Sequence, residues 1–534
     1  MIKPVNDDAA APRIVLLTGG SLTPDTLRAV ARDRTVARFS PQVAARLDAD
    51  RAVVDAAVES GTPTYGVTTG LGAGVTRALS RAELAEFSVR TVRGRANAVG
   101  EPLPTDAVRA AMAARLNSFA HGGSGVQPAV ASLLLDMLNA GVHPRVPGTG
   151  SVGASDLCLL AHIAQVVMGE GFAEYEGEML PGDEALARAG LLAAVLGPKD
   201  GLVLCSANSV SAGIGALVLA DAQELLTLAQ AVAALTYEGF RANTTPLDPG
   251  VQAARPAPGQ QHAADGLRAL LSGGLLLDPE NARRLQDPIS LRCVSQVHGS
   301  LWSALEFVRP ALAAELCGAA DNPLVLAEQG RVVSTGNFHT PALALAFDTL
   351  ALALCHAASL SVARTECLLT GRLSDLPAGL SPRGPGHTGF LALIKTGQAL
   401  TVEIKQLATP VSTESFSSAD GVEDDTTNAP LAARRTGWIL DRLRSVLAIE
   451  ALVAAQAVDL AGVRTAVGHG PALLHRAVRD IVDPLDDDRA CGPDVERVAA
   501  QVLTDREVIG RLEAIVGNCP AEADTGNWAA EVSR

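Results

Sequence analysis

The sequence predicts a mainly α-helical protein, with a loop-rich N-terminal part carried on a bundle of long helices. Three observations lead there. Hydrophobic residues make up 48% of the 534-residue chain and charged residues 19%, which is enough apolar material for a large core. Only 3% is aromatic, so that core must be built from Ala, Leu and Val, a composition that suits closely packed helices. From about residue 201 long Ala/Leu-rich stretches dominate, whereas Gly and Pro interrupt the chain before that point.

The elements follow in order. Residues 13–39 read as two short strands, "RIVLLTG" and "TVARFS", around the helix "LTPDTLRAVARD". Ser40 and Pro41 open a helix through Ser60, because proline suits a first helical turn. The Gly-rich loop "TPTYGVTTGLGAG" comes next, then helices at about 80–100, 105–120 and 126–140. Long helices are expected at about 207–238, 290–317, 340–370, 388–408 and 428–460. Irregular stretches such as "RANTTPLDPGVQAARPAPGQQ" and "DLPAGLSPRGPGHTG" join them, and shorter, more charged helices follow from about 470. The expected division is residues 1–200 as a loop-rich domain and 201–534 as the long-helix bundle.

Bulk properties narrow the function. A net charge of −15 argues against nucleic acid or an anionic membrane as partner. The eight cysteines show no C-x-x-C and no Cys/His ligand spacing, which points to free thiols of a reducing cytosol and to no metal site. The start, "MIKPVNDDAAAPR", lacks the basic segment and apolar core of a signal peptide. Asp348 and His356 interrupt the longest apolar run, which suits a buried bundle helix better than a membrane span. The expectation is a soluble, cytoplasmic protein.

One stretch raises a chemical question: "GTGSVGASDLCLLAH", residues 148–162. Gly148 to Gly153 fit G-x-G-x-x-G, but a dinucleotide site needs a strand before the glycines, and "GVHPRVP" carries two prolines there. Read locally, Ser155 or Asp156 caps the helix "LCLLAHIAQVVM", which Gly169 and Gly171 end.

Other segments change that reading. "TYGVTTGLGAG", "NAGVHPRVPGTGSVGAS", "LDPGVQAARPAPGQ", "QDPISLRCVSQVHG", "ADNPLV", "STGNFH" and "LAIEALVAAQAVDL" occur in this order across most of the chain. Together they resemble the histidine and phenylalanine ammonia-lyases, the aromatic amino acid lyase family. The resemblance implies a central helix bundle of the ammonia-lyase/fumarase-like type, a homotetramer whose sites draw on three subunits, and an amino-acid-like substrate. In that family an Ala-Ser-Gly tripeptide cyclises to methylidene-imidazolone (MIO), an electrophile that captures the substrate. A base then takes a β-proton, and ammonia leaves or shifts to the neighbouring carbon.

The resemblance carries over residue by residue. Ala154, Ser155 and Asp156 stand where the ring forms, and Tyr65 matches the catalytic base. Arg292 matches the arginine that clamps the substrate carboxylate, a task for a bidentate guanidinium. Asn322 and Phe338 match site positions, and Glu423 matches the acidic residue of the histidine-specific branch.

Departures cluster at the same site. Relatives read Ala-Ser-Gly-Asp; this chain reads Ala154-Ser155-Asp156, one residue short, and Asp156 brings a Cβ where glycine leaves the attacking nitrogen uncrowded. Ser206-Ala207 replaces Asn-Gly, with Asn208 two positions on as a candidate to compensate. Ile289 replaces a tyrosine, Val422 an amide, and Gly94-Arg95 the specificity dipeptide. A pocket-facing Arg95 would prefer an acidic or polar substrate side chain, because a buried arginine without an anion is costly. Three readings stay open: an MIO-dependent lyase or 2,3-aminomutase; an MIO-less member performing another elimination, cyclisation or addition; and a non-catalytic scaffold.

Overall fold

The computed structural model describes residues 14–71 and 78–517. The opening segment 1–13, the end of the Gly-rich loop (72–77) and Cys519 lie outside the described residues. The fold is mainly α, as the composition predicts.

β1 (Ile14–Leu17) and β2 (Val36–Phe39) pair in parallel around α1 (Pro24–Ala31), as the sequence suggests. In α2 (Pro41–Ser60), Val43, Leu47, Asp50 and Val54 fall on one face at spacings of four, three and four, and all are buried. Pro41 starts that helix and Gly61, at φ 65°, ends it in the left-handed conformation glycine tolerates. α3 (Arg81–Arg93) stops well before the expected residue 100; Gly94 caps it, and β3 (Val99–Pro102) takes the remaining residues. α4 (Thr105–His121) and α5 (Pro128–Ala140) follow as expected.

Short strands were missing from the sequence reading. β4 (His143–Pro144) pairs with β6 (Phe172–Tyr175), which pairs with β7 (Glu178–Pro181), while β5 (Pro147–Thr149) pairs with β3. β8 (Leu324–Leu326) and β9 (Arg331–Val333) form a separate hairpin. Two to four residues each, they are too short to show a period of two.

α6 (Leu157–Val167), α7 (Gly182–Arg188) and α8 (Asp200–Cys205) lead into α9 (Ser209–Phe240), a 32-residue helix apolar on nearly every face and buried accordingly. The other long helices are Val294–Leu316, Pro341–Leu369, Leu393–Leu407 and Ala429–Ala461. Of the expected helix over 290–317, Ile289–Arg292 forms a separate turn before the main run. The expected helix from 388 begins only at Leu393. Two segments, Asp200–Phe240 and Pro341–Leu369, are long and apolar enough to cross a membrane by length and composition, and the most apolar 18-residue window of the first is wholly buried within the protein.

The chain forms two compact units. One holds the chain up to Ala220 with Phe307–Asp348 and Pro410–Arg435; the other holds Asp221–Glu306, Thr349–Thr409 and the chain from Thr436. In the first, α4 presents Ala107, Ala110, Ala111, Ala113 and Ala114 as buried residues. Gly213 of α9 lies so close that a Cβ there would sit 2.7 Å from the Ala111 backbone nitrogen. Small side chains let the helices approach to backbone contact, which explains a large core with few aromatics. In the second unit a charged cluster is fully enclosed: Arg364 Nε and Nη2 donate to the Glu450 carboxylate at 2.6 and 2.8 Å, and Ser361 and Thr236 donate to it as well. Such a pair is tolerable out of water because nearly every lone pair is used.

A Gly213→Val chain should be destabilised by about 1–3 kcal/mol through overpacking. The check is the urea midpoint, and an unchanged midpoint would show that α4 and α9 are not in close contact.

Candidate active site

Within the first unit one cavity of about 340 Å³ collects most of the expected site residues. Tyr65, Arg95, Ala154 and Ser155 line it, and so do Ser206, Asn322, Phe338 and Glu423. Leu71, Leu157, Leu202, Ala419 and Val422 complete the walls, which the sequence reading did not anticipate apart from Val422. Two expected residues do not line it. Asp156 is enclosed, at 1% exposure. Arg292 belongs to the second unit, at the end of the Ile289–Arg292 turn, where its Nε donates to the Asp287 carbonyl at 2.8 Å.

Tyr65 sits in a turn after α2. The Thr68 hydroxyl donates to the Thr62 carbonyl at 2.6 Å and accepts from the Thr64 amide at 2.8 Å, which closes the turn. Gly66 follows at φ 64°, where a Cβ would strike the Leu202 side chain at 2.5 Å. Asn322 is fixed by donors from Thr335 N at 3.0 Å and Ser334 Oγ at 3.3 Å, next to the buried Arg115–Asp321 pair.

The segment 150–156 is held from several sides. Gly153, at φ 84°, packs where a Cβ would meet the Thr427 hydroxyl at 2.0 Å, and Thr427 Oγ1 donates to the Gly153 carbonyl. Thr427 and Asn428 amides donate to the Val152 carbonyl at 3.1 and 2.8 Å. Ser155 adopts φ 61°, uncommon outside glycine, and its amide donates to the Phe338 carbonyl at 3.2 Å. The Ser155 and Ser206 hydroxyls meet at 3.4 Å on the cavity floor.

Asp156 corrects the local capping expectation. It stands at the first position before α6, yet its side chain makes no cap bond to that helix. The carboxylate turns instead to the start of α9, accepting from Ser211 N at 2.8 Å and Ser211 Oγ at 2.9 Å, with Ser151 Oγ at 3.3 Å. Its own amide donates to the Ala207 carbonyl at 2.7 Å. A carboxylate at the positive end of a 32-residue helix is favourably placed, and this longer-range bond wins over the local one.

Asn208 does not line the cavity and so does not replace the lost asparagine at Ser206. Its amide donates to Glu315 Oε2 at 2.8 Å and to the Asn337 carbonyl at 3.4 Å. Burial pushes Asp156 up to about 6, although the Ser211 and Ser151 donors pull it down. Burial likewise pushes Glu315 up to about 7, with the Asn208 bond opposing and the Asp156 charge adding to the rise. Sequence reasoning missed Glu315, because nothing local marks a glutamate in an Ala-rich helix as a partner of Asn208, 107 residues away.

Arg95 and Glu423 share the cavity without pairing. Arg95 Nη1 donates to the Thr91 carbonyl at 3.3 Å, and among the described residues Arg95 forms no ion pair. Glu423 accepts from Ser418 Oγ at 3.0 Å and is likewise without an ion pair among them. Among the described residues no cluster of three His, Cys, Asp or Glu side chains is arranged to hold a metal, and the seven described cysteines carry free thiols.

The two raised carboxyls set a pH dependence. A carboxyl whose folded pKa exceeds its unfolded value contributes stability that is complete below the unfolded value of about 4 and is lost as pH rises through the folded one. Here that window runs from about 4 through 6 and 7. Glu315→Gln removes one of the two titrations. The drop in thermal midpoint between pH 5 and pH 8 should therefore be smaller than in the wild type by about 1–3 °C, and an equal drop would contradict the assignment.

Comparison with known proteins places this geometry. Residues 22–480 match the family model described as aromatic amino acid lyase. Histidine ammonia-lyase of Treponema denticola is 40% identical over 501 residues, covering 93% of this chain and 98% of that protein. Ergothionase of the same organism, an ergothioneine-degrading enzyme, superposes with a TM-score of 0.88 at 30% identity, covering 95% of this chain and all of that one. Tyrosine aminomutase of Streptomyces globisporus superposes with a TM-score of 0.88 at 31% identity, covering 96% of this chain and all of that one. The family is MIO-dependent. With most of its length matched, the chain belongs to the aromatic amino acid lyase family and is an enzyme of the carbon–nitrogen lyase type, acting on an amino acid.

Proposed function

We propose that this enzyme eliminates an amine from an α-amino acid with a polar or acidic side chain, and that it does so without an MIO ring. One observation carries the reading: the Asp156 amide donates to Ala207 while its carboxylate is held by Ser211 and Ser151. Ring closure would need that nitrogen to release its bond and reach the Ala154 carbonyl carbon, with a Cβ and an anchored carboxylate attached. Residues 154–156 as they lie do not fit the group.

The chemistry then falls to the remaining side chains. Tyr65 is the base that takes the β-proton. The C–H pair becomes the Cα=Cβ bond, and the C–N pair departs with the amine, leaving an α,β-unsaturated acid. Glu423 faces the ammonium. Phe338 forms a wall, Ser155 and Ser206 offer hydroxyls at the floor, and the Asn322 amide hydrogen-bonds the substrate. Arg95 selects a polar or anionic side chain. Arg292 clamps the α-carboxylate, supplied from a neighbouring copy in a homotetramer of a soluble, cytoplasmic enzyme. The ergothioneine-degrading neighbour supports a scaffold that acts on amino-acid derivatives as well as on free histidine or tyrosine.

Amine release from a panel of polar and acidic amino acids tests this. Cyanide adds to a methylidene electrophile and should leave the rate unchanged here, whereas Tyr65→Phe should lower it by about 10²–10⁴-fold. Inactivation by cyanide, or a Tyr65→Phe chain of wild-type activity, would overturn the proposal.

A further inference from the structure

The altered Ala154-Ser155-Asp156 segment and Arg95 meet at the same cavity, which Ala154, Ser155 and Arg95 line. An ordinary amino acid has no acidic Cβ–H, and a base such as Tyr65 removes that proton only if the negative charge left behind is stabilised. Among the described residues Arg95 is the one cationic side chain lining the cavity. It follows α3, with Gly94 as the cap residue and its own amide donating to the Val92 carbonyl, so it stands at the negative end of that helix. The walls beside it are apolar: Leu71, Leu157, Leu202, Phe338 and Val422. A single bond to the Thr91 carbonyl leaves most of its donor fork unused, and Glu423 across the same cavity does not pair with it. The guanidinium is half-buried, and its unused donors are free to take up an anion from the ligand.

We infer that Arg95 is a catalytic residue that binds a carboxylate carried on the substrate's Cβ, so that the substrates are 2-amino-1,4-dicarboxylic acids of the aspartate type. This rests on the ring-free reading above, with Tyr65 as base. The Tyr65 side-chain oxygen, as base, takes the Cβ proton. The C–H electron pair delocalises into the Cβ carboxylate, giving a dianionic enediolate that the planar guanidinium holds through two parallel bonds. The pair then returns to form the Cα=Cβ bond, and the C–N pair leaves with the amine. The product is an unsaturated dicarboxylate; no oxidant or other reactant is needed. A cavity of about 340 Å³ also has room for a substituent on Cβ.

The test follows two signals in D₂O by proton NMR: exchange of the Cβ hydrogen and release of amine. Probes are L-aspartate and its 3-methyl and 3-phenyl derivatives, with L-glutamate, whose carboxylate is one carbon too far, and L-histidine as comparators. At least one aspartate-type probe should exchange on the order of 100-fold faster than glutamate; Arg95→Ala should lower its rate by about 10²–10³-fold, and Arg95→Lys should retain part of it. Absence of exchange with the aspartates, or exchange unaffected in both Arg95 variants, overturns the inference. Tyr65-dependent amine release from histidine alone overturns it while leaving the elimination reading intact. Release that survives Tyr65→Phe with every probe defeats that reading itself.

Discussion

The site is organised by one carboxylate. Asp156 ties the segment that lines the cavity to the first turn of α9, through the Ser211 amide and hydroxyl, and its own amide fixes the segment to Ala207. Next to that attachment lie the left-handed Ser155, its hydroxyl against Ser206, and the Ala154 backbone beside His339, with Thr427, Asn428 and the Phe338 carbonyl holding the same segment. Hydrogen bonds to a buried carboxylate are expensive to break, since the groups left behind would be unpaired. The constraint therefore opposes rearrangement into a ring as well as supporting the cavity.

Charge gives the rest of the site its direction. Arg95 and Glu423 line one cavity and do not neutralise each other, an arrangement suited to a ligand carrying both signs. Arg95 is half-buried beside aliphatic walls, whereas Glu423 is exposed. Behind the floor, Glu315 and Asp156 crowd two acids into a dry region, and the serine and asparagine donors around them keep that region satisfied.

Much of this was legible in the sequence where the causes are local. Ser40-Pro41 and Gly61 bracket α2 because proline and a left-handed glycine act within a turn. Family motifs brought Tyr65, Ser155, Asn322, Phe338 and Glu423 to one cavity although they span most of the first unit. The reading went astray where distant partners decide. α3 gave way to β3, whose partner β5 lies some fifty residues on, and Asp156 left its own helix for Ser211, 55 residues away. Asn208, a candidate to compensate for Ser206, donates to Glu315. Arg292 belongs to the other unit, at the end of a short helical turn that nothing local ties to the cavity.

The central claim is that the anchored Asp156 keeps residues 154–156 an ordinary peptide. The intact mass of the purified chain, with a peptide map across Val152–His162, tests it directly. The account predicts the unmodified mass. A peptide lighter by two waters would contradict it and would restore an MIO-dependent mechanism.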